Sequence, residues 1–140
     1  MDLLVQKLSE EAVLPEKAYD SDAGFDLFSR THIKLLPNER HLLSTGISVK
    51  LPEGYCGILK DRSGNATRKG VHVLAGIIDN AYIGEIRICL VNLSINAVTI
   101  NLGDKIAQML IVPVPSVNVV EVKELPNTDR GNAGFGSTGQ

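Results

Sequence analysis

Apolar residues recur at every second position in short runs, and this spacing constrains the chain more than any other feature. Ile47, Val49 and Leu51 share one parity; so do Ile86, Ile88 and Leu90, and again Val98, Ile100 and Leu102. A period of two marks a strand with one face buried and the other partly wet. Turn signals divide the runs at Leu36-Pro37-Asn38-Glu39, Leu51-Pro52-Glu53-Gly54, Asn92-Leu93-Ser94-Ile95-Asn96 and Asn101-Leu102-Gly103-Asp104. Proline presets φ at the second position of such turns, and glycine suits their end. Many short strands joined by turns predict an all-β sandwich or barrel. The run from Val117 to Leu125 reads as one more strand. With 140 residues and no internal repeat, the chain is one domain.

Two segments leave the pattern. Arg62-Ser63-Gly64-Asn65-Ala66-Thr67-Arg68-Lys69-Gly70 has no alternation and predicts a short helix. Ser63 would cap its start, Arg68 and Lys69 suit its negative end, and Gly70 would stop it. The tail, residues 127–140, carries four of the 13 glycines together with Arg130, Ser137, Thr138 and one aromatic, Phe135. It has too little apolar surface to fix itself alone. Its side chains suit closure over a flat, anionic ligand.

A net charge of −2 gives no long-range pull toward nucleic acid or an anionic membrane, so any phosphate contact must be local. The first residues lack the pattern of a signal peptide, and no run approaches the length of a membrane span. Cys56 and Cys89 stand outside any CxxC and read as buried free thiols of a reducing compartment, cytoplasmic or nuclear. His32, His41 and His72 share no metal-ligand spacing.

Chemistry concentrates in four further places. In Ser21-Asp22-Ala23-Gly24-Phe25-Asp26-Leu27, Asp26 follows a glycine bend. In Asp61-Arg62-Ser63-Gly64, an Arg fork, a hydroxyl and free amides suit an anion. In Ala75-Gly76-Ile77-Ile78-Asp79-Asn80-Ala81-Tyr82-Ile83-Gly84-Glu85, Asp79 follows three apolar-side residues in an expected hairpin. Partial desolvation there would equip it as a general base toward water. Tyr82 offers a flat face to a sugar. In Gly103-Asp104-Lys105-Ile106-Ala107-Gln108-Met109, the amide of Gln108 sits in an apolar strand and needs partners, a phosphate oxygen among them.

In order, these four segments and the tail resemble the five motifs of the trimeric dUTP nucleotidohydrolases (dUTPases), from Ala23 to Gly139. The tail Arg130-Gly131-Asn132-Ala133-Gly134-Phe135-Gly136-Ser137-Thr138-Gly139 is the most specific piece. The resemblance implies a jelly-roll-like β-barrel of the β-clip kind over residues 1–126, with 127–140 as a flexible lid. It implies a homotrimer whose three sites lie between subunits, each closed by another chain's tail. The activity implied is hydrolysis of dUTP to dUMP and pyrophosphate with Mg²⁺, which limits uracil incorporation into DNA and supplies dUMP for dTMP synthesis.

Carried over by position, Asp79 would activate the water that attacks the α-phosphorus. The backbone of Gly76, Ile77, Ile78 and Asp79 would read the uracil edge, and Tyr82 would stack on the deoxyribose. Arg62, Ser63, Gly64 and Gln108 would hold phosphates, and Asp26 would position the hydrated metal through water. Arg87 falls near a position that touches the nucleotide in relatives through its backbone. Arg130, Ser137 and Thr138 would grip the outer phosphates, while Phe135, next to Gly136, covers the uracil. Triphosphate hydrolysis asks for charge placement, an aligned water and exclusion of solvent, which such residues supply without a carboxylate cage.

The sequence departs from the family pattern at Asp61, where proline is common, and at Asn65, Ala81, Ile83 and Ala133. Asp61 would set a negative charge beside the phosphates and weaken affinity; Ala133 would alter tail closure. Two other functions compete. The dCTP deaminases share the fold, but their catalytic glutamate falls at Cys89, where a thiol cannot do its acid–base work. The other is a nucleotide-binding regulatory role in which occupancy controls tail order.

Overall fold

The computed structural model of the chain describes residues 1–137 and residue 139; Thr138, expected to grip phosphate, lies outside them. Ten strands form: β1 Leu4–Lys7, β2 Phe25–Phe28, β3 Ile33–Leu35, β4 Arg40–Lys50, β5 Tyr55–Lys60, β6 Val71–Leu74, β7 Ile77–Ile78, β8 Glu85–Asn92, β9 Val98–Ile100 and β10 Lys105–Pro113. They assemble into a sheet of order β1-β4-β8-β6, a sheet of order β2-β10-β5-β7 and a ribbon β3-β9. Every pairing is antiparallel. Neighbouring strands come from distant parts of the chain, which gives a jelly-roll-like all-β fold. Among the described residues the sheets keep separate edges and do not close into the expected barrel.

The alternation seen in the sequence places the core. Ile47, Val49, Leu51, Ile86, Ile88 and Leu90 are all buried, and Leu27, Leu35, Ile106 and Met109 meet them. Burying a side chain of this size contributes about 1.5–3 kcal/mol, an upper figure because the unfolded chain already hides part of it. Leu102 breaks its parity and is exposed. Strand β9 ends at Ile100, and residues 101–104 form a tight turn closed by the Asp104 N–H on the Asn101 carbonyl, 3.1 Å. The other expected turns form too, including Glu39 N–H to the Leu36 carbonyl, 3.0 Å.

Polar groups inside the sandwich are paired. Asn92, with no exposed surface, donates to the carbonyls of Leu35 (3.0 Å) and Asn96 (2.8 Å) and accepts from Ser94. Among the described residues no buried side-chain nitrogen or oxygen lacks a partner.

Two expected elements come out differently. The segment after β5 is helical, but Asn65–Lys69 winds as a wide π turn, and no side-chain hydrogen bond caps its start. Ser63 lies within the first turn, where its carbonyl accepts from the Thr67 hydroxyl at 2.7 Å. Gly70 does end the segment, left-handed at φ 68°, with Arg68 and Lys69 in the last turn. The expected strand from Val117 to Leu125 does not form: regular structure ends at Pro113, and Val117, Val119, Val120, Val122 and Leu125 are all exposed. Alternation makes a strand only where a neighbour offers an edge, and this segment has none within the described chain.

Candidate active site

Asp26 is the centre of the first cluster. It stands on β2 and is only 8% exposed. Arg62 donates its Nε to Asp26 Oδ1 at 2.8 Å, and the Lys105 ammonium lies 2.9 Å from Oδ2. Lys105 also meets Glu16 at 3.0 Å. The bond to Asp26, then that to Glu16, outweighs partial desolvation and holds Lys105 above the ordinary 10.5. A nearly buried carboxylate is stable only when neutralised, and two cations do that here.

Around this pair opens a cavity of about 550 Å³ lined by Asp22, Gly24, Asp26, Arg62, Ser63, Gly64, Asn65, Arg68, Lys69 and Gln108. Gln108 faces Asp26 across the β10–β2 pairing and donates Nε2 to the Asp61 carbonyl at 2.8 Å. Gly24 makes room for it: a Cβ there would lie 2.5 Å from Gln108 Oε1. Arg62, Ser63, Gly64 and Gln108, expected to act together on phosphate, therefore share one wall.

The second cluster sits at the opposite edge of the same sheet. Strand β7 is two residues long and pairs Ile77 and Ile78 with Ile58 and Gly57. Gly76 leads into it at φ 118°, where a Cβ would come 2.9 Å from the Leu59 carbonyl oxygen, so only glycine fits. Beyond it a pocket of about 460 Å³ is lined by Leu42, Ile77, Ile78, Asp79, Tyr82, Glu85 and Arg87. Asp79 is exposed rather than partly desolvated, because nothing in the same chain lies beyond this short edge strand. Tyr82 donates its hydroxyl to the Glu85 carbonyl at 2.9 Å, and its ring covers Gly84, where a Cβ would meet the hydroxyl at 2.5 Å. Arg87 is exposed and donates Nε to Glu85 at 3.2 Å.

The two clusters are apart. Strand spacings of about 4.8 Å and rises of about 3.3 Å per residue put Asp26 and Asp79 roughly 15–20 Å from each other on one chain. One phosphorus cannot be served by both. Among the described residues the tail joins neither: Arg130 donates Nε to the Ala133 carbonyl within the tail itself at 2.9 Å, and Phe135, Gly136 and Ser137 are exposed.

Sequence reading missed Lys105 and Glu16, the partners of Asp26, and gave Arg68 and Lys69 only a helix-end role, though both line the cavity around Asp26. It also missed Asn80. Its amide donates to the carbonyls of Pro52 (2.6 Å), Tyr55 (3.2 Å) and Leu51 (3.3 Å), anchoring the residue next to Asp79. An Asn between Asp79 and Ala81, in a segment of hairpin type, was the one available hint. Asp61 points away from the cavity, toward His72 and Val73. Among the described residues no three His, Cys, Asp or Glu side chains gather to hold a metal, and the three histidines do not meet. Cys56 and Cys89 are free and half-buried, and no helix is long and apolar enough to cross a membrane.

A jelly-roll-like chain with a basic cavity at one sheet edge and a carboxylate-bearing pocket at the other belongs with binders of phosphorylated ligands. Comparison narrows this. The family model described as dUTPase matches residues 10–139. The chain is 53% identical to the deoxyuridine 5'-triphosphate nucleotidohydrolase of Hydrogenobaculum sp. (strain Y04AAS1), over 99% of each chain. It is 48% identical to that of Clostridium novyi (strain NT), again over 99% of each. Its fold is similar to a mutant Staphylococcus bacteriophage 80alpha dUTPase with dUpNHpp (TM-score 0.94, 30% identity, 99% of each chain). A mutant dUTPase from phage phi11 of S. aureus, reported for its coordination of a structural Mg(II) ion, matches at TM-score 0.85 and 31% identity, over 91% of this chain and all of that one. The chain belongs to the dUTPase family.

Proposed function

We propose that this protein hydrolyses dUTP to dUMP and pyrophosphate in sites formed between copies of the chain. The observation that carries the reading is the pocket in which Asp79 and Tyr82 stand together with Ile77 and Ile78, in a chain of this family. The Asp79 carboxylate takes a proton from a water whose oxygen attacks the α-phosphorus. A new P–O bond forms there, the bond to the bridging oxygen breaks, and pyrophosphate leaves. Backbone groups of Gly76, Ile77 and Ile78 read the uracil edge, and Tyr82 closes the space beside the sugar. Arg62, Ser63, Gly64 and Gln108 of another copy hold the phosphates in line.

Three features support a shared site and a homotrimer. The phosphate cavity and the Asp79 pocket are too far apart within one chain to serve one substrate. Asp79 lacks cover from its own chain. The apolar residues of 117–125 and the described tail residues Arg130, Phe135, Gly136 and Ser137 have nothing of their own chain to lie on. A tail crossing to a neighbouring copy would cover the nucleotide and exclude water.

The donor set suits Mg²⁺ held mainly by phosphate oxygens and water. The cavity offers the carboxylates of Asp22 and Asp26, the latter already engaged by two cations, and no cage. When bound, Mg²⁺ neutralises charge on the phosphate chain. The free thiols suit a reducing, intracellular setting. A panel of deoxynucleoside triphosphates and UTP, assayed for pyrophosphate with and without Mg²⁺, should give turnover of dUTP alone. Equal rates on UTP or dCTP would overturn the reading.

A further inference from the structure

Residues 61–70 run from the end of β5, in one sheet, to the start of β6, the outer strand of the other sheet. No strand pairing holds this connection, yet it carries Arg62, Ser63 and Gly64. Asp61 ties down its first residues, while further along the Asn65 side-chain amide donates to the Lys105 carbonyl at 2.9 Å. Asp61 Oδ1 accepts the Val73 N–H at 2.6 Å, and its Oδ2 accepts from His72 Nδ1 at 2.6 Å. Val73 is on an edge strand, so an N–H directed away from β8 has no strand to meet; the carboxylate takes that place. From the other side, the carbonyl of Asp61 receives Gln108 Nε2 at 2.8 Å. The next residue, Arg62, reaches Asp26.

We propose that Asp61 is a positioning residue for the phosphate wall: it clamps the Arg62–Gly64 segment to the edge of the facing sheet and orients Gln108. The inference rests on the assignment of that wall to phosphate. Asp61 lines a separate hollow, shared with Lys60 and His72. Its carboxylate is turned to the Val73 N–H and the His72 imidazole, away from the cavity that Arg62 lines.

The test is steady-state kinetics and calorimetry on the assembled, Mg²⁺-loaded protein. Asp61→Ala should raise KM for dUTP and weaken dUpNHpp about tenfold, as expected for losing hydrogen bonds to a charged group. kcat should stay within about twofold, and dUMP should weaken less than dUpNHpp, because dUMP offers the wall one phosphate in place of three. Asp61→Asn keeps an oxygen for Val73 and should restore most of the affinity. His72→Ala, at an exposed position, should give a smaller KM rise with the same kcat and settles the matter if the alanine variant at 61 fails to fold. The proposal is overturned if KM stays at the parental value in the folded variants, or if dUMP and dUpNHpp weaken equally. Should the parent not turn over dUTP, the function assigned above is at fault. Binding of inorganic tripolyphosphate to parent and variants then still decides the role of Asp61.

Discussion

Asp79 and Tyr82 occupy one pocket but are placed by different means. Asp79 follows a two-residue strand and is steadied by Asn80, whose amide holds three carbonyls of the β4–β5 turn. Asp79→Asn should therefore leave the fold intact, keep dUpNHpp binding, and lower kcat by about 10²–10⁴-fold, the usual contribution of a general base. Calorimetry beside a pyrophosphate assay checks both halves; full activity in the variant would remove Asp79 from its role. Tyr82 owes its position to an absence of side chain at Gly84. Gly84→Ala should push the ring off its seat and raise UTP turnover relative to dUTP, measured as the ratio of kcat/KM values.

Among elements, β4 and β8 are the pair on which the larger cluster of core residues is mounted, and their register shifts between Ser44 and Ser48. Glu85 fills that irregularity. Burial pushes its carboxyl up, but the Ser44 hydroxyl, the Gly46 N–H at 2.9 Å and the Arg87 guanidinium together hold it below the ordinary 4.5. A carboxylate with a depressed folded value stabilises the fold above its unfolded value and stops doing so as pH falls through the folded one. Melting temperature should thus fall with pH below 4.5. Glu85→Gln should melt lower than the parent at pH 7, and the gap should narrow as the buffer is taken below 4.5. Parallel curves over that range would mean that Glu85 contributes by packing alone.

For the whole molecule, what one chain leaves incomplete is the informative part. Asp79 is open to solvent, the basic cavity around Asp26 lies at the far edge of the sheet, and the apolar residues of 117–125 are exposed. Light scattering should give three copies. Deleting residues 129–140 should abolish turnover without changing that trimeric assembly, since the described tail residues hydrogen-bond only within the tail. A truncated protein working at the parental rate would rule out a lid, and a monomer would rule out shared sites.

Much of this was legible along the chain. Alternation located the core residues of β4, β8 and β9, because side-chain direction in a strand is a local property with a period of two. Glycine and proline marked the turns for equally local reasons, and the motif order carried the family. Leu102 and the Val117–Leu125 run were misread because each depends on whether a partner strand or packing surface lies alongside; the short helix formed as expected, without the Ser63 cap. The network around Asp26 was hidden for a related reason. A register shift between Lys105 and Ala107 changes which face of β10 Lys105 serves, and only pairing with β2 reveals it. The sequence by itself determined the strands, the turns and the kinds of group available for phosphate chemistry. Which carboxylate is neutralised, which way Asp61 turns and which residues share a cavity were decided by tertiary structure, because each depends on distances across strands far apart in the chain.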